Sequence, residues 1–150
     1  MEITDAFLGE HGALYALFDV LKRSLASANA LDSVRTWTAL LGGVLVSHAQ
    51  LEDDLLFTSL DPHLGPVGPL AVMRSEHEQI EALIAQASSY DDLNQARDAL
   101  LGAVELALDH FAKEEQVLFR IARQALEGPA LMSLGAEWAR RRGVSIVDGR

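Results

Sequence analysis

The sequence predicts an all-α protein in which four long helices form an antiparallel up-down-up-down bundle, followed by a short extra C-terminal helix. Three observations support this prediction. Hydrophobic residues make up 49% of the chain but aromatic residues only 6%, a balance that favours helices built from Ala and Leu over a β-sandwich. Apolar residues recur at alternating spacings of four and three, as on the buried stripe of a helix. The connections between these stretches are short, which favours antiparallel neighbours.

The first helix is predicted to begin at Thr4 or Asp5, whose side chains can accept hydrogen bonds from the free N–H groups of the first turn. It is predicted to end at about residues 28–30. Its inward positions alternate four and three residues apart, and they are Phe7, His11, Leu14, Phe18, Leu21 and Leu25. A histidine therefore occupies one position of an otherwise apolar stripe.

The second helix is predicted from a cap at Asp32 or Ser33 to about Leu60. Its inward positions are Trp37, Leu41, Val44, His48, Leu51 or Glu52, and Leu55. The segment 61–69 follows and holds three of the four prolines together with two glycines. Because proline and glycine interrupt helices, this segment predicts the break before the third helix.

The third and fourth helices repeat the same pattern. The third is predicted to begin at Pro69, since proline suits a first helical turn, and to reach residue 88. The fourth is predicted from about Asp92 to Ala125. The inward positions of the third helix are Leu70, Met73, His77, Ile80 or Glu81, and Ile84. Those of the fourth helix are Leu93, Ala96, Leu100, Ala103, Ala107, His110, Glu114, Val117 and Ile121.

Gly128 and Pro129 are expected to end the fourth helix, and residues 131–142 to form a short fifth one. The last eight residues are expected to be loose. No linker is long enough to separate two domains, so residues 1–150 form one domain, with the bundle over about 4–125 and an extension over 126–150. The Arg140-Arg141-Arg142 cluster is interpreted as a positive patch that interacts with the dipole at a helix end.

Charge and cysteine content exclude several classes of protein. The formal net charge is −10, whereas binding to a phosphate backbone needs a basic face, so no nucleic-acid partner is expected. The absence of cysteine excludes disulfides, Cys-ligated zinc and thiol catalysis. The N-terminus lacks the pattern of a signal peptide, and no apolar run reaches the roughly 18 residues of a membrane span. We therefore expect a cytoplasmic protein without membrane contact, either a monomer or a weak homo-oligomer.

A histidine followed four residues later by a glutamate occurs three times, at His48/Glu52, His77/Glu81 and His110/Glu114. Residues four apart share one face of a helix, so each pair directs an imidazole and a carboxylate the same way. Counted against this template, three matches among five histidines have a chance probability of about 0.4%. Nitrogen and carboxylate ligands directed together suit a first-row transition metal. The repeated spacing therefore indicates a metal site.

The predicted bundle also places these groups at one level. At a rise of 1.5 Å per residue, His11 and the three pairs lie between ~10 and ~22 Å from the end where the first helix begins. Burying so many polar groups without partners would cost on the order of several kcal/mol of folding free energy per charge. Seven ligands exceed the four of a tetrahedral zinc site. They suit two ions of higher coordination number that share bridging carboxylates.

Each of these residues also has a purely structural interpretation. The three pairs could be buried His–Glu hydrogen bonds, and His11, with Tyr15 four residues later, could be an ordinary helix histidine. Tyr15 could pack in the core or donate a hydrogen bond to a bound ligand. His63, in the proline-rich break, is expected at the surface. Five acidic neighbours of the pairs point about 100° away and are expected on a solvated face or in outer contacts, namely Asp53, Asp54, Glu78, Asp109 and Glu115.

The order of one His and then three His-x-x-x-Glu pairs resembles the haemerythrin-like family, also called HHE cation-binding domains, over roughly residues 4–125. This resemblance implies a four-helix bundle that holds a non-haem di-iron centre with an oxo or hydroxo bridge. Manganese and zinc are the alternatives to two iron ions. The resemblance implies Glu52 and Glu114 as bridging carboxylates, His11 and His48 as terminal ligands of one iron, and His77, Glu81 and His110 as terminal ligands of the other.

The chain departs from the oxygen-carrying haemerythrins at two positions. They have a histidine where this chain has Glu81, and an aspartate five residues after the last ligand histidine, where this chain has Glu114 at four. In this respect it is similar to HHE members linked to iron or oxygen sensing and to peroxide or nitric oxide chemistry. The resemblance therefore implies binding of O₂, nitric oxide or peroxide in sensing or in redox protection. Any enzymatic activity is expected to be catalase-, peroxidase- or oxidase-like.

Two other functions remain open from the sequence. One is a regulatory module in which metal occupancy or oxidation state controls folding or binding to a protein partner, without catalysis. The other is a helical interaction protein that binds no metal.

Overall fold

The structure is a computed structural model that describes residues 1–145. Within them it contains helices and no strand, which confirms the predicted all-α class. Residues 146–150, part of the tail expected to be loose, lie outside the described residues. None of the helices described combines the length and hydropathy needed to cross a membrane. The five helices are α1 (Ile3–Ala26), α2 (Leu31–Leu51, a π-helical turn Glu52–Phe57, then Thr58–Leu64), α3 (Pro69–Ser89), α4 (Leu93–Lys113, a π-helical turn Glu114–Leu118, then Phe119–Ala125) and α5 (Gly128–Arg142).

The predicted helices are all present, with ends that differ by a few residues. The largest difference lies at the break after the second helix, because α2 continues through Pro62 to Leu64. Pro62 lies in the last short segment of this helix, where its missing N–H removes one hydrogen bond without ending the helix. The connection to α3 is then only residues 65–68, in which Gly65 and Gly68 adopt positive φ angles of 74° and 119°.

The two π-helical turns shift the buried stripe of the helix that contains them. Hydrogen bonds in a π turn join residues five apart, so the positions after the turn move on by one residue. In α4 the buried positions after Glu114 are Leu118, Phe119 and Ala122. The predicted inward positions Val117 and Ile121 were wrong, and Val117 is 52% exposed. That prediction extended a 3.6-residue period through a turn that does not have it.

The predicted stripe of α2 was wrong at Trp37 and Val44 but right at Leu41, which is fully buried. The side chains of Val34, Thr38 and Leu45 are buried, whereas Trp37 is only half-buried and Val44 is exposed. Thr38 can occupy a core position because its hydroxyl donates a hydrogen bond to the carbonyl of Val34 at 2.8 Å. The first half of α2 is therefore rotated from the predicted orientation. The predicted and observed buried stripes coincide again at His48.

Two apolar clusters make up the core, and a polar layer lies between them. One cluster includes Leu14, Leu45 and Ile80. The other includes Phe7, Leu51 and Met73. On each of α1, α2 and α3, a histidine lies between a residue of the first cluster and a residue of the second. The polar groups are therefore surrounded by apolar side chains on both sides along the helices.

The C-terminal helix α5 packs on α1. Pro129 lies in its first turn and Gly143 ends it in the left-handed conformation at φ 68°. Its buried residues are Leu131, Gly135 and Ala139. A Cβ atom at Gly135 would lie 3.1 Å from the carbonyl carbon of Glu2 and closer still to the carbonyl oxygen of Met1. Only glycine permits this approach of α5 to the start of α1.

Candidate metal centre

Each of the first four helices contributes one buried histidine to the polar layer. At most 6% of any of these four residues is exposed, and two glutamates of the layer are fully buried. Both glutamates stand at the first residue of a π-helical turn. Such turns are rare and frequently occur at functional sites. The six residues are His11 of α1, His48 and Glu52 of α2, His77 of α3, and His110 and Glu114 of α4.

These six residues form two overlapping groups, in each of which the possible ligand atoms lie within 4.8 Å of one another. We call them the α1/α2 group and the α3/α4 group. The α1/α2 group contains His11, His48, Glu52 and Glu114, and the α3/α4 group contains His77, His110, Glu52 and Glu114. Both glutamates are common to the two groups. The arrangement therefore offers two metal positions that share two carboxylates.

The oxygen atoms of each glutamate face different groups. Glu52 directs Oε1 toward Nε2 of His48 at 3.1 Å and Oε2 toward Nε2 of His77 at 3.3 Å. Glu114 directs Oε2 toward Nε2 of His11 and Oε1 toward Nε2 of His110, both at 3.4 Å. Each carboxylate thus spans the two groups with one oxygen on each side. This is the position that a bridging ligand between two ions requires.

The atoms that converge on the centre are without hydrogen-bond partners among the described residues. They comprise Nε2 of all four histidines and both oxygens of Glu52 and of Glu114, and all are buried. Buried polar groups are normally paired, and an unpaired one costs about 1–3 kcal/mol. Nitrogen and carboxylate atoms left without partners around a common centre fit a set of first-row metal ligands. The residues present therefore fit a pair of bound metal ions.

The imidazoles and carboxylates of the two groups shift one another's pKa values. Burial alone would lower the pKa of His11 and His48, but contacts with the neighbouring carboxylates outweigh it and raise these pKa values to about 9 and about 10. Burial alone would raise the pKa of Glu52, but the surrounding imidazoles hold it well below its usual range. The carboxylates therefore favour the protonated form of His11 and of His48. Metal binding must displace their protons, because a ligating histidine is neutral.

The other ring nitrogen of each histidine, Nδ1, faces a second carboxylate. Nδ1 of His48 donates to Glu10 at 2.6 Å. Nδ1 of His110 donates to Glu76 at 2.9 Å, and that of His11 donates to Glu115 at 2.9 Å. For His77 the corresponding residue is Asp53, whose Oδ2 lies 3.5 Å away, too far for a well-formed hydrogen bond. Such contacts fix the ring orientation and leave Nε2 free to bind a metal.

These outer carboxylates connect the four helices in a closed ring. Glu10 of α1 contacts a histidine of α2, and Asp53 of α2 contacts one of α3. Glu76 of α3 contacts a histidine of α4, and Glu115 of α4 contacts the histidine of α1. Each outer carboxylate is also adjacent in sequence to an inner residue. The orientation of every histidine therefore depends on the neighbouring helix.

The outer carboxylates have partners of their own. Tyr15 donates a hydrogen bond to Glu115 at 2.6 Å, and burial raises the pKa of this tyrosine. Lys113 pairs with Glu76, and Arg74 lies 3.5 Å from Asp53. Trp138 and Arg142 of α5 both donate to Glu10.

The structure brings together six of the seven predicted ligand residues, whereas sequence reasoning missed half of this outer set. Glu10 and Glu76 were not predicted, and Asp53 and Glu115 were assigned only to a solvated face or to outer contacts. The signal available was an acidic residue directly beside one inner residue on each of the four helices. The histidine that it contacts lies on another helix and cannot be identified from spacing. Arg142 does more than interact with a helix end. His63 is exposed, as expected.

The structure does not bring Glu81 into the cluster. The side chain is exposed and belongs to neither group, because the stripe of α3 that faces inward passes through Ile80 and Ile84 instead. Glu81 nevertheless lines a small cavity together with His77 and His110. Its role as a ligand remains a prediction.

Aromatic rings enclose the histidines. The ring of Phe111 stacks on His11 with centroids 4.0 Å apart, and Phe57 stacks on His77 at 5.5 Å. Phe7 meets His48 edge-on at 5.7 Å. These contacts hold the imidazoles in place and exclude water from the centre.

Comparison with known proteins agrees with this geometry. A family model described as the hemerythrin HHE cation binding domain matches residues 2–122. No curated protein and no solved structure matches the chain. The matched region contains every residue of the two groups and leaves α5 outside. Because it covers most of the 150 residues, the chain belongs to the hemerythrin HHE cation-binding family.

Proposed function

We propose that this chain is a non-haem di-iron protein that binds O₂, nitric oxide or peroxide, and that it acts in redox protection or sensing. The supporting observation is the position of Glu52 and Glu114, each of which directs one oxygen to each histidine pair. We further propose that α1–α4 form an antiparallel up-down-up-down bundle. The closed ring of contacts between consecutive helices supports this arrangement.

The proposal assigns iron because the ligands are nitrogen and carboxylate without sulfur. His11 and His48 would hold one ion and His77 and His110 the other, with Glu52 and Glu114 between them and Glu81 as a further proposed ligand. Manganese and zinc are the alternatives. When bound, a pair of irons would supply redox electrons and a coordination position for a small oxidant. The chain itself orients the ligands and keeps the centre dry.

A small cavity supports a small ligand. It has a volume of about 10 Å³ and adjoins His48, His77 and His110. Its other walls are largely apolar, with Leu45, Ala49, Ile80 and Phe111 among them. A space of this size holds about one water-sized molecule. We therefore propose a diatomic molecule or peroxide as the ligand, and any enzymatic activity would be of the catalase, peroxidase or oxidase type.

The test is the metal content of aerobically purified protein together with its visible spectrum. We expect about two irons per chain, the number that two ligand groups sharing carboxylates accommodate, and a charge-transfer band that bleaches on reduction. Recovery of the band in air would then measure the reaction with oxygen. A chain that contains no metal and takes up no added ferrous iron would overturn the proposal and leave the cluster as a structural polar layer.

The second candidate is a metal-regulated interaction module without catalysis, acting on a protein partner. The contact of α5 with the outer ring favours it, because this helix lies outside the family match and carries the exposed apolar residue Met132. Fast turnover of peroxide would support the enzyme. Oxygen-dependent protection from proteolysis, without turnover, would support the module. A cytoplasmic location and a monomeric or weakly oligomeric state remain predictions.

A further inference from the structure

One of the four outer carboxylates differs from the others in where its partners come from. Glu115, Asp53 and Glu76 are contacted by Tyr15, Arg74 and Lys113, all of which lie within the family match. The partners of Glu10 are Trp138 and Arg142, a turn apart on α5 and outside the match. The outer ring is therefore completed by a helix that the family domain does not include.

The contacts at Glu10 are numerous and short. Trp138 Nε1 donates to Oε1 at 2.7 Å, and Arg142 donates from Nε to Oε1 at 2.6 Å and from Nη2 to Oε2 at 2.9 Å. Oε2 is also the atom that accepts the hydrogen bond from Nδ1 of His48. Arg142 further donates to the hydroxyl of Ser47, the residue before His48, at 2.5 Å. A bidentate contact with arginine fixes the plane of a carboxylate as well as its position.

The backbone of α5 is fixed at the same place. Gly135, one turn before Trp138, lies against the backbone at the start of α1, and Ala139 is buried between Trp138 and Arg142. Trp138 and Arg142 thus project from a helix whose backbone is packed closely against α1. The chain of contacts runs from α5 through Glu10 to His48.

We propose that α5 is a positioning element for the metal held by His11 and His48, with Arg142 and Trp138 fixing Glu10 and Glu10 fixing His48. This inference rests on the proposed metal function. Because coupling between two sites is reciprocal, occupation of the α1/α2 group stabilises the docking of α5 in turn. The helix is then one path by which metal occupancy reaches the surface.

The test is the release of iron to a chelator, using the full chain loaded anaerobically with ferrous iron. Arg142→Gln should accelerate release of the half of the metal held by the α1/α2 group by about 10-fold, the lower end of the 10- to 100-fold effect of changing a direct outer contact of a ligating histidine, because Arg142 acts through Glu10. The other half should leave at the wild-type rate. Trp138→Phe should give the same pattern with a smaller acceleration. Arg142→Lys keeps the charge without the fork and should restore the slow rate in part.

The matched control is Arg140→Gln, on the same helix, because Arg140 pairs only with the exposed side of Glu137 among the described residues. It should release iron as the wild type does. If Arg142→Gln and Arg140→Gln release iron at the same rate, the inference is wrong while the proposed function stands. If the wild type takes up no ferrous iron, both fail. Acceleration of both halves together would also overturn the inference, since it would indicate general loosening of the fold.

The reciprocal effect of metal binding on α5 provides a second measurement, which does not require a substitution at Glu10, Trp138 or Arg142. Amide hydrogen exchange of α5 should be slower in the iron-loaded wild type than in the metal-free chain. In Gly135→Ala, where the added Cβ prevents close docking, this difference should disappear. Equal exchange of α5 in the loaded and metal-free wild-type protein would overturn the coupling.

Discussion

The two histidine groups share Glu52 and Glu114 and have similar inner distances, yet their surroundings differ. In the α1/α2 group both histidines donate hydrogen bonds to outer carboxylates, at 2.6 and 2.9 Å. In the α3/α4 group His110 is held in the same way, but His77 faces Asp53 at 3.5 Å. The small cavity adjoins both histidines of the α3/α4 group and only His48 of the other.

The inner and outer residues determine two different properties of the site, and the identity of the ligands determines only the first. The inner residues determine that two ions can bind and share carboxylates. The outer contacts determine how firmly each histidine is held and where a small ligand can approach. The α1/α2 group is therefore expected to retain its metal more firmly, and the α3/α4 group to be the side that exchanges metal and meets the ligand.

The largest effect is expected from Glu52→Ala, which removes one of the two residues common to both groups. It takes away one oxygen from each metal position, so both ions should be lost. Metal analysis of the purified variant measures this, with Glu78→Ala, an exposed change on α3, as the control that keeps its iron. A variant that retained one full equivalent would show that the two positions do not depend on this carboxylate equally.

Replacing one histidine should have the next largest effect and should divide the two groups. His77→Ala should lose the ion of the α3/α4 group and keep the other, and His48→Ala should do the reverse. Because the α1/α2 group is held more firmly, the ion left in His77→Ala should resist a chelator longer than the ion left in His48→Ala. Metal analysis and release rates measure both. The reverse order of release would contradict the comparison.

The inner site could be predicted from sequence because each ligand pair lies within one helix. His48/Glu52 and His110/Glu114 are four residues apart, and helical geometry alone places them on one face. The π-helical turns that begin at Glu52 and Glu114 could not be predicted, since the apolar residues after Glu114 fit an α-helical period nearly as well. A shift of one residue decided whether Val117 or Leu118 is buried.

The outer contacts could not be predicted for a different reason. Glu10 accepts hydrogen bonds from His48 on α2 and from Trp138 and Arg142 on α5, so these contacts depend on how three helices pack. No spacing along one helix contains that information. The arginine cluster shows the same limit, because Arg142 turns toward Glu10 and Ser47 while Arg140 pairs with Glu137 on its own helix.

A smaller effect is expected from changing the outer carboxylates, and it should differ between the groups. Glu10→Gln weakens a short charged hydrogen bond to His48 and should accelerate metal release about 10-fold or more. Asp53→Asn should accelerate it by less, because Asp53 is partly exposed and 3.5 Å from His77. Chelator competition on the two loaded variants measures the difference. Equal acceleration would show that metal binding brings Asp53 into closer contact.

The smallest effect is expected from Glu81→Gln, and it examines the one position where family resemblance and structure differ. The resemblance assigns this carboxylate to the ion of the α3/α4 group, whereas the structure leaves it exposed at the rim of the small cavity. A carboxylate exposed to water gains little free energy when it binds a metal, so both ions should remain in Glu81→Gln. Metal release should be accelerated by less than in Glu10→Gln. Glu78→Gln, on the same helix and also exposed, is the control. If Glu81→Gln instead loses as much metal as His77→Ala, the carboxylate must turn inward when metal binds, and the α3/α4 group then closes around its ion rather than standing preformed as the α1/α2 group does.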